Sequence, residues 1–178
     1  VREHGGYKLK YAGQVTTTAV SYYGMQKSWV SIMITGSHIP KGQNGIKYNF
    51  PRREILKIEE KEMLKYVEEA RKREYYDPSH VEKNTWLFNS DGSFKERPKI
   101  TEPSMQQEVE DFYLSRYRDI FKGKSLSGKI IAVYQHSSVG RDMLVRMLKE
   151  LRANVIPVDR AAEGVFIPID TENVTPVH

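Results

Sequence analysis

Residues 35–47, TGSHIPKGQNGIK, place Ser37 and His38 directly after the apolar run SIMIT and return through Asn44 and Gly45 to Lys47. Gly36 lets a ligand approach the backbone closely, and a loop of small polar residues leaves peptide N–H groups free to meet an anion. A serine hydroxyl is a weak nucleophile. It needs an activating neighbour, or it serves as a phosphoryl carrier whose charge other groups hold. The pattern disfavours acyl transfer, because TGSHI lacks the second glycine of G-x-S-x-G and a histidine adjacent in sequence rarely points at its neighbour's oxygen. Phosphoryl transfer fits better. Lys47 lies one residue into the returning strand, on the face opposite Ile46 and Tyr48, from which its ammonium can lean over the serine and a phosphorylated ligand. A polar hairpin with a solvated lysine is the alternative that spacing alone leaves open.

The elements that position this loop are readable on both sides. Thr16, Thr17 and Thr18 ahead of AVSYYGMQ predict an N-capped helix ending near Lys27. The continuously apolar run Ser31 to Thr35 predicts a strand covered on both faces. Asn44 and Gly45 tolerate positive φ, and the alternation of Ile46, Tyr48 and Phe50 with Lys47 and Asn49 predicts a half-buried strand adjacent to the first. Met63, Val67 and Ala70, widened by Leu64 and Tyr66, make a helical stripe between Ile58 and Glu74. Asp91 and Gly92 mark a turn near Trp86 and Phe88. A second long helix is predicted from Ser104, with Ser104 and Gln107 as a capping box, through Val109, Phe112, Tyr113 and Ile120 toward Gly123. At KSLSGK the composition changes. IIAVY, the face Leu144, Met147, Leu148 and Leu151, and Val155 to Val158 then predict a βαβ unit with a domain boundary near Ser127.

The 178 residues suffice for one ordinary core or two small ones, and 39% hydrophobic residues with interspersed charge exclude a disordered chain. Cysteine is absent, which excludes disulfides, thiolate metal sites and a cysteine nucleophile. No apolar stretch approaches the length of a membrane span and VREHGGYKLK lacks a signal-peptide core, so a soluble cytoplasmic protein is the expectation. The net charge of +5 and pI near 9.2 suit an anionic partner. Interleaving of acidic and basic residues between Arg52 and Glu74 argues for a solvated helix surface rather than a nucleic-acid site.

The string ITGSHIP followed by NGIK resembles the phosphoserine loop of the α-D-phosphohexomutases, the phosphomannomutase and phosphoglucomutase family, in which T-A/G-S-H-N-P precedes N-G-x-K. YAGQVTTTAVSYYGMQ is similar to the helix before that loop, and GKIIAVYQHSSVGRDMLVRMLKEL with VIPVD and IPIDTENV is similar to the opening of the family's second domain. The resemblance implies an α/β fold: a mixed sheet with helices on both faces, incomplete at its N-terminus, over residues 1–126, and the βαβ start of a similar domain over 127–178. It implies an intramolecular phosphotransferase that interconverts hexose 1-phosphate and hexose 6-phosphate. Ser37 would be the phosphorylated nucleophile, and Lys47 and His38 would serve in acid–base catalysis and positioning. Gly36, Asn44 and Lys47 would contact substrate. It also implies Mg2+ held in part by the phosphoryl group on Ser37, with glucose 1,6-bisphosphate or mannose 1,6-bisphosphate as activator and intermediate. The partners implied are the hexose phosphate and the remaining domains of the same polypeptide, with no nucleic acid and no membrane.

The sequence departs from the family at several points. Ile39 replaces the usual asparagine, and VTTTAV lacks the prolines common before the helix. The N-terminal arginine motif, the D-G-D-G-D-R metal loop, the G-E-x-S-G-H sugar loop and the C-terminal phosphate-binding domain are not found, and Asp170 to Glu172 is no substitute for the metal loop. The segment alone is expected to be inactive. A non-catalytic phosphosugar-binding module derived from a mutase is the rival from another class, and a basic nucleic-acid binder a distant third. QHSSVGRD places Ser137, Ser138 and Gly140 at a strand end and a helix start, which reads as a helix cap with Asp142 in the first turn and Arg141 as surface charge.

Overall fold

The structure, a computed structural model, describes residues 8–36, 44–72 and 103–167, and singly Asn89, Ser93 and Lys95. Trp86, Phe88, Asp91 and Gly92 lie outside the described residues. By internal packing the chain divides into two units, Val1–Arg53 with Ser104–His178, and Glu54–Pro103.

In the first unit, helix α1 (Thr17–Gln26) begins where the Thr16 hydroxyl accepts from the Ala19 N–H at 3.3 Å, satisfying one of the donors a helix start leaves unpaired. Strands β1 (Ser31–Thr35) and β2 (Gly45–Phe50) pair antiparallel in register from Ser31 opposite Asn49 to Thr35 opposite Gly45, and a short β3 (Arg53–Glu54) follows on the far side of β2. The predicted helix and the two adjacent strands are therefore present; residues 37–43 between the strands lie outside the described residues. Helix α1 packs on β1 at close range: a Cβ on Gly24 would stand 3.0 Å from the Ser31 Cβ, so a larger residue there would force Ser31 to give way by a few tenths of an ångström.

The phase of burial in the hairpin differs from the alternation expected. Ile32, Ile34, Ile46 and Phe50 are exposed, Ile34 at 64%, whereas Asn49 is 3% exposed. The helix-facing side of the hairpin carries Ser31, Met33, Lys47 and Asn49, with Met33 packed against the core, and Ile32, Ile34, Ile46, Tyr48 and Phe50 occupy the other side. Hydrophobic pattern reveals which residues share a face, but not which face the helix takes.

Helix α2 (Lys57–Arg71) belongs to the second unit. Glu59 reaches back to accept from the Leu56 N–H at 2.8 Å, and Arg71 pairs with Glu68 at 2.9 Å. Met63, Val67 and Ala70 share a stripe as the sequence implies, yet no residue of α2 is buried.

Helix α3 (Gln106–Ile120) starts two residues later than predicted. The Met105 N–H is already committed to the Tyr11 carbonyl at 2.8 Å, and the Ser104 hydroxyl accepts from Gln106 rather than from Gln107. Gln107 instead donates to Asp111 within the helix, so no capping box forms. Val109 and Tyr113 are buried as expected and Phe112 packs beside them, but Ile120 is exposed because it lies on the outer side of the last turn. Val15, Ala19, Val20 and Tyr23 meet Val109 and Tyr113 to form the core. Edge-to-face contacts support it, with Tyr23 and Phe112 centroids 5.3 Å apart at 80°.

Strand β4 (Ile130–His136), helix α4 (Arg141–Glu150) and strand β5 (Asn154–Arg160) form the predicted βαβ unit. The strands run parallel in register from Ile130 opposite Asn154 to His136 opposite Arg160. Val133 and Gln135 are buried. The whole is a mixed α/β architecture with antiparallel and parallel pairing in separate sheets.

Candidate functional site

The pair Thr35 and Gly45 closes the β1–β2 ladder, so the two halves of the string TGSHIPKGQNGIK meet at one mouth. Gly36 follows β1 half-buried, and Asn44 precedes β2 exposed. Ser37 and His38, the residues on which the chemistry depends, lie outside the described residues, as do 39–43. Lys47 stands opposite Met33, two rungs from the closing pair, or ~7 Å along the strand at the usual rise. Its side chain is exposed and shares the sheet face of Met33 and Asn49, opposite Ile46 and Tyr48 as the alternation implied. The structure thus brings Gly36 and Asn44 to one end of the hairpin and sets Lys47 at the middle pair of the ladder.

What holds this hairpin against the helix was not apparent in the sequence. The Asn49 amide donates to the Ser21 hydroxyl of α1 at 3.0 Å and to the Ser31 hydroxyl of β1 at 3.3 Å, and all three residues are buried. No local signal marks Asn49 as inward, because the alternation puts it on the face opposite Ile46, Tyr48 and Phe50. On the far side of α1, Tyr23 donates to the Glu108 carboxylate of α3, and burial together with that bond pushes its phenol up to about 12. Lys27 lies 5.4 Å over the rings of both Tyr23 and Phe112.

The βαβ unit is tied to α3 by charge. Arg118 holds Glu150 through two bonds of 2.8 and 2.9 Å, and Arg146 holds Asp111 at 2.7 Å. The Arg118 bonds draw the Glu150 carboxyl below its ordinary value. Asp111 is drawn down chiefly by the Gln107 amide, with Arg146 adding to it.

At the β4–α4 turn, Ser138 accepts from the Gly140 N–H at 3.2 Å, and Gly140 itself is the cap. Arg141 is not mere surface charge: its guanidinium donates to the His136 carbonyl at 2.8 Å and the Ala161 carbonyl at 3.3 Å, stapling the two strand ends. Asp142 accepts a two-pronged bond from Arg160 at 2.5 and 3.0 Å, which lowers its carboxyl. Ser137 and His136 bond to one another at 3.1 Å. The side chains of His136, Ser137, Ser138, Arg141 and Asp142 are thus each engaged within the protein.

Among the described residues no three histidine, aspartate or glutamate side chains converge as metal ligands, and no helix is long and apolar enough to cross a membrane. The metal ligand expected at Ser37 falls outside them. The described residues therefore do not by themselves fit a magnesium site, which demands a near-octahedral oxygen shell.

The model of the family "Phosphoglucomutase/phosphomannomutase, alpha/beta/alpha domain I" matches residues 3–74, a span that includes the loop and Lys47. A phosphomannomutase of Sinorhizobium fredii (strain NBRC 101917 / NGR234) is 37% identical over 163 residues, covering 92% of this chain and 30% of that protein. A phosphomannomutase of Salmonella muenchen is 33% identical over 170 residues, covering 96% and 30%. Both similarities run beyond residue 74 into the βαβ unit. The chain spans about 30% of the length of these relatives.

Proposed function

The chain belongs to the phosphohexomutase family, and we propose that it supplies the phosphoserine loop of an enzyme interconverting hexose 1-phosphate and hexose 6-phosphate. The observation that carries this reading is the register of the β1–β2 hairpin, which sets Gly36 and Asn44 at its mouth and Lys47 two rungs below. In this reading residues 1–126 belong to the first domain and 127–178 open the second.

Phosphorylated Ser37 gives its phosphoryl group to a free hydroxyl of the hexose monophosphate. The serine Oγ–phosphorus bond breaks, a sugar oxygen–phosphorus bond forms, the sugar hydroxyl's proton passes to a base and a proton is delivered to the departing serine oxygen, with Lys47 and His38 the candidates for these transfers. The product is a 1,6-bisphosphate of glucose or mannose. Its other phosphoryl group then returns to Ser37 and leaves the isomeric monophosphate. A phosphoserine carries roughly −1.5 to −2 charges, so exposed Lys47 and the backbone donors near Gly36 and Asn44 oppose that charge where it concentrates. Mg2+, bound by the phosphoryl group with further oxygen ligands from beyond the described residues, would neutralise charge on the group being transferred. A cytoplasmic location belongs to the same proposal.

Incubation of the full chain, joined to the remaining domains of its polypeptide, with glucose 1,6-bisphosphate or mannose 1,6-bisphosphate tests this by intact mass. One phosphoryl adduct that maps to Ser37 and disappears in Ser37→Ala is expected. An unchanged mass with both bisphosphates overturns the reading in favour of a non-catalytic binding module.

A further inference from the structure

We propose that Asn49 is a positioning residue: its buried amide fixes the register of β2 against β1 and α1, and thereby the face on which Lys47 stands. The inference deepens the phosphoserine reading and rests on it for its catalytic consequence, though not for the structural part.

The argument starts from an inversion. In β2 the residue buried against the helix is Asn49, at 3% exposure, while Ile46 is 55% exposed on the other face. Burial of apolar surface would favour the opposite arrangement, and a buried amide without partners is costly. Asn49 is partnered on two elements at once, by Ser21 of α1 and by Ser31 directly opposite it in the ladder. A one-residue slip of β2 would turn every side chain to the other face. It would carry the amide away from both hydroxyls and would move Lys47 off the face it shares with Met33. Hydrophobic pairing alone opposes such a slip weakly here, because β2 offers apolar side chains that would pack if turned inward. A single buried polar group that specifies register is the best-attested use of such groups. Lys47 lies two residues from Asn49 on the same face, so the group that sets register also sets where the ammonium emerges.

The absence of cysteine makes the register directly measurable. Ile34 and Ile46 are opposite one another on the exposed face, at a spacing that suits a cross-strand disulfide in an antiparallel ladder. In the full chain carrying Ile34→Cys and Ile46→Cys, oxidation should close this bond readily. Adding Asn49→Ala, which removes the amide without supplying an apolar side chain to the inward face, should lower the rate of closure at least ~5-fold and raise cross-linking of the slipped pair Ile34→Cys with Lys47→Cys. Undiminished closure in Asn49→Ala would refute the proposal, whatever the melting temperature. The catalytic consequence is read separately in the protein without the introduced cysteines. Asn49→Ala should lower the saturating rate of phosphoryl uptake from a hexose bisphosphate about tenfold, with half-saturation little changed, because orientation rather than binding is lost. If Asn49 controls the cross-link while the unaltered protein takes up no phosphoryl group, the phosphomutase reading fails and the register device stands. If uptake is normal in Asn49→Ala although the cross-link shifts, the positioning role is refuted.

Discussion

Tyr23 joins the two helices of the core through one proton. Its hydroxyl donates to Glu108, its ring packs edge-on to Phe112, and its phenol is pushed to about 12 by burial and by that carboxylate. Tyr23→Phe keeps the ring and removes the donor, so the expected loss is about 1.5 kcal/mol in urea unfolding at pH 7, the usual worth of a hydrogen bond to a charged group. The pH dependence has a defined sign. The folded phenol titrates above its unfolded value near 10, so the unfolded chain releases this proton first. The contribution is complete below pH 10 and is lost as pH rises from 10 through about 12. Stability should therefore fall more steeply over that window in the unaltered protein than in Tyr23→Phe, and equal slopes would remove Tyr23 from the account. Nothing in the local sequence announces this pair, since Tyr23 and Glu108 are 85 residues apart. Ser37, His38 and Lys47 stood out because loop chemistry is local and written in adjacent residues. The Asn49 clamp did not, because its partners come together only through the fold.

At the scale of elements, local signals read well and the choice of faces did not. Thr16 caps α1 as its sequence implies, and β2 pairs beside β1, although neither Asn44 nor Gly45 takes the positive φ that their types permit. Ser104 and Gln107 matched a capping box on paper, yet the contact of Met105 with Tyr11 started α3 later. That is tertiary context overriding a local preference of comparable size. The seam between α1 and α4 is a further example, because it depends on one missing methyl. A Cβ on Gly140 would lie 2.7 Å from the Thr16 Cγ2, closer than atoms pack, although the backbone φ of −83° at Gly140 is ordinary. Gly140→Ala should cost about 1–3 kcal/mol through overpacking. Thr16→Ser removes the offending methyl and keeps the capping hydroxyl, so it should be nearly neutral by itself. The double variant should regain most of the loss, short only of alanine's poorer capping. Thermal unfolding of the four proteins as a double-mutant cycle measures the coupling, and additive losses would show that the Thr16 methyl is not what Gly140→Ala meets.

Taken as a molecule, the described residues distribute their burial unevenly, and local stability should follow. The core of the first unit is assembled from α1 and α3, which contribute Ala19, Val20, Tyr23, Val109 and Tyr113. Helix α2, in the other unit, buries no residue, and Ile58 at its start is 76% exposed. Among the described residues its polar support is local and includes the Glu59 bond to the Leu56 N–H, the Lys57–Glu60 pair at 3.8 Å and the Arg71–Glu68 pair at 2.9 Å. Such pairs contribute about 0.2–0.5 kcal/mol each, which is little for a 15-residue helix in water. The apolar stripe of Met63, Val67 and Ala70 was evident in the sequence because periodicity is intrinsic to the chain. Its burial was not, because burial belongs to whatever surface meets the stripe. Amide hydrogen exchange read by mass spectrometry should show α2 exchanging on the order of 100-fold faster than α1 and α3 near neutral pH, since an opening that exposes no buried apolar surface costs little free energy. Equal protection in the three helices would mean that Ile58, Leu64 and Val67 are covered in solution, and that α2 draws its stability from packing rather than from its own turns.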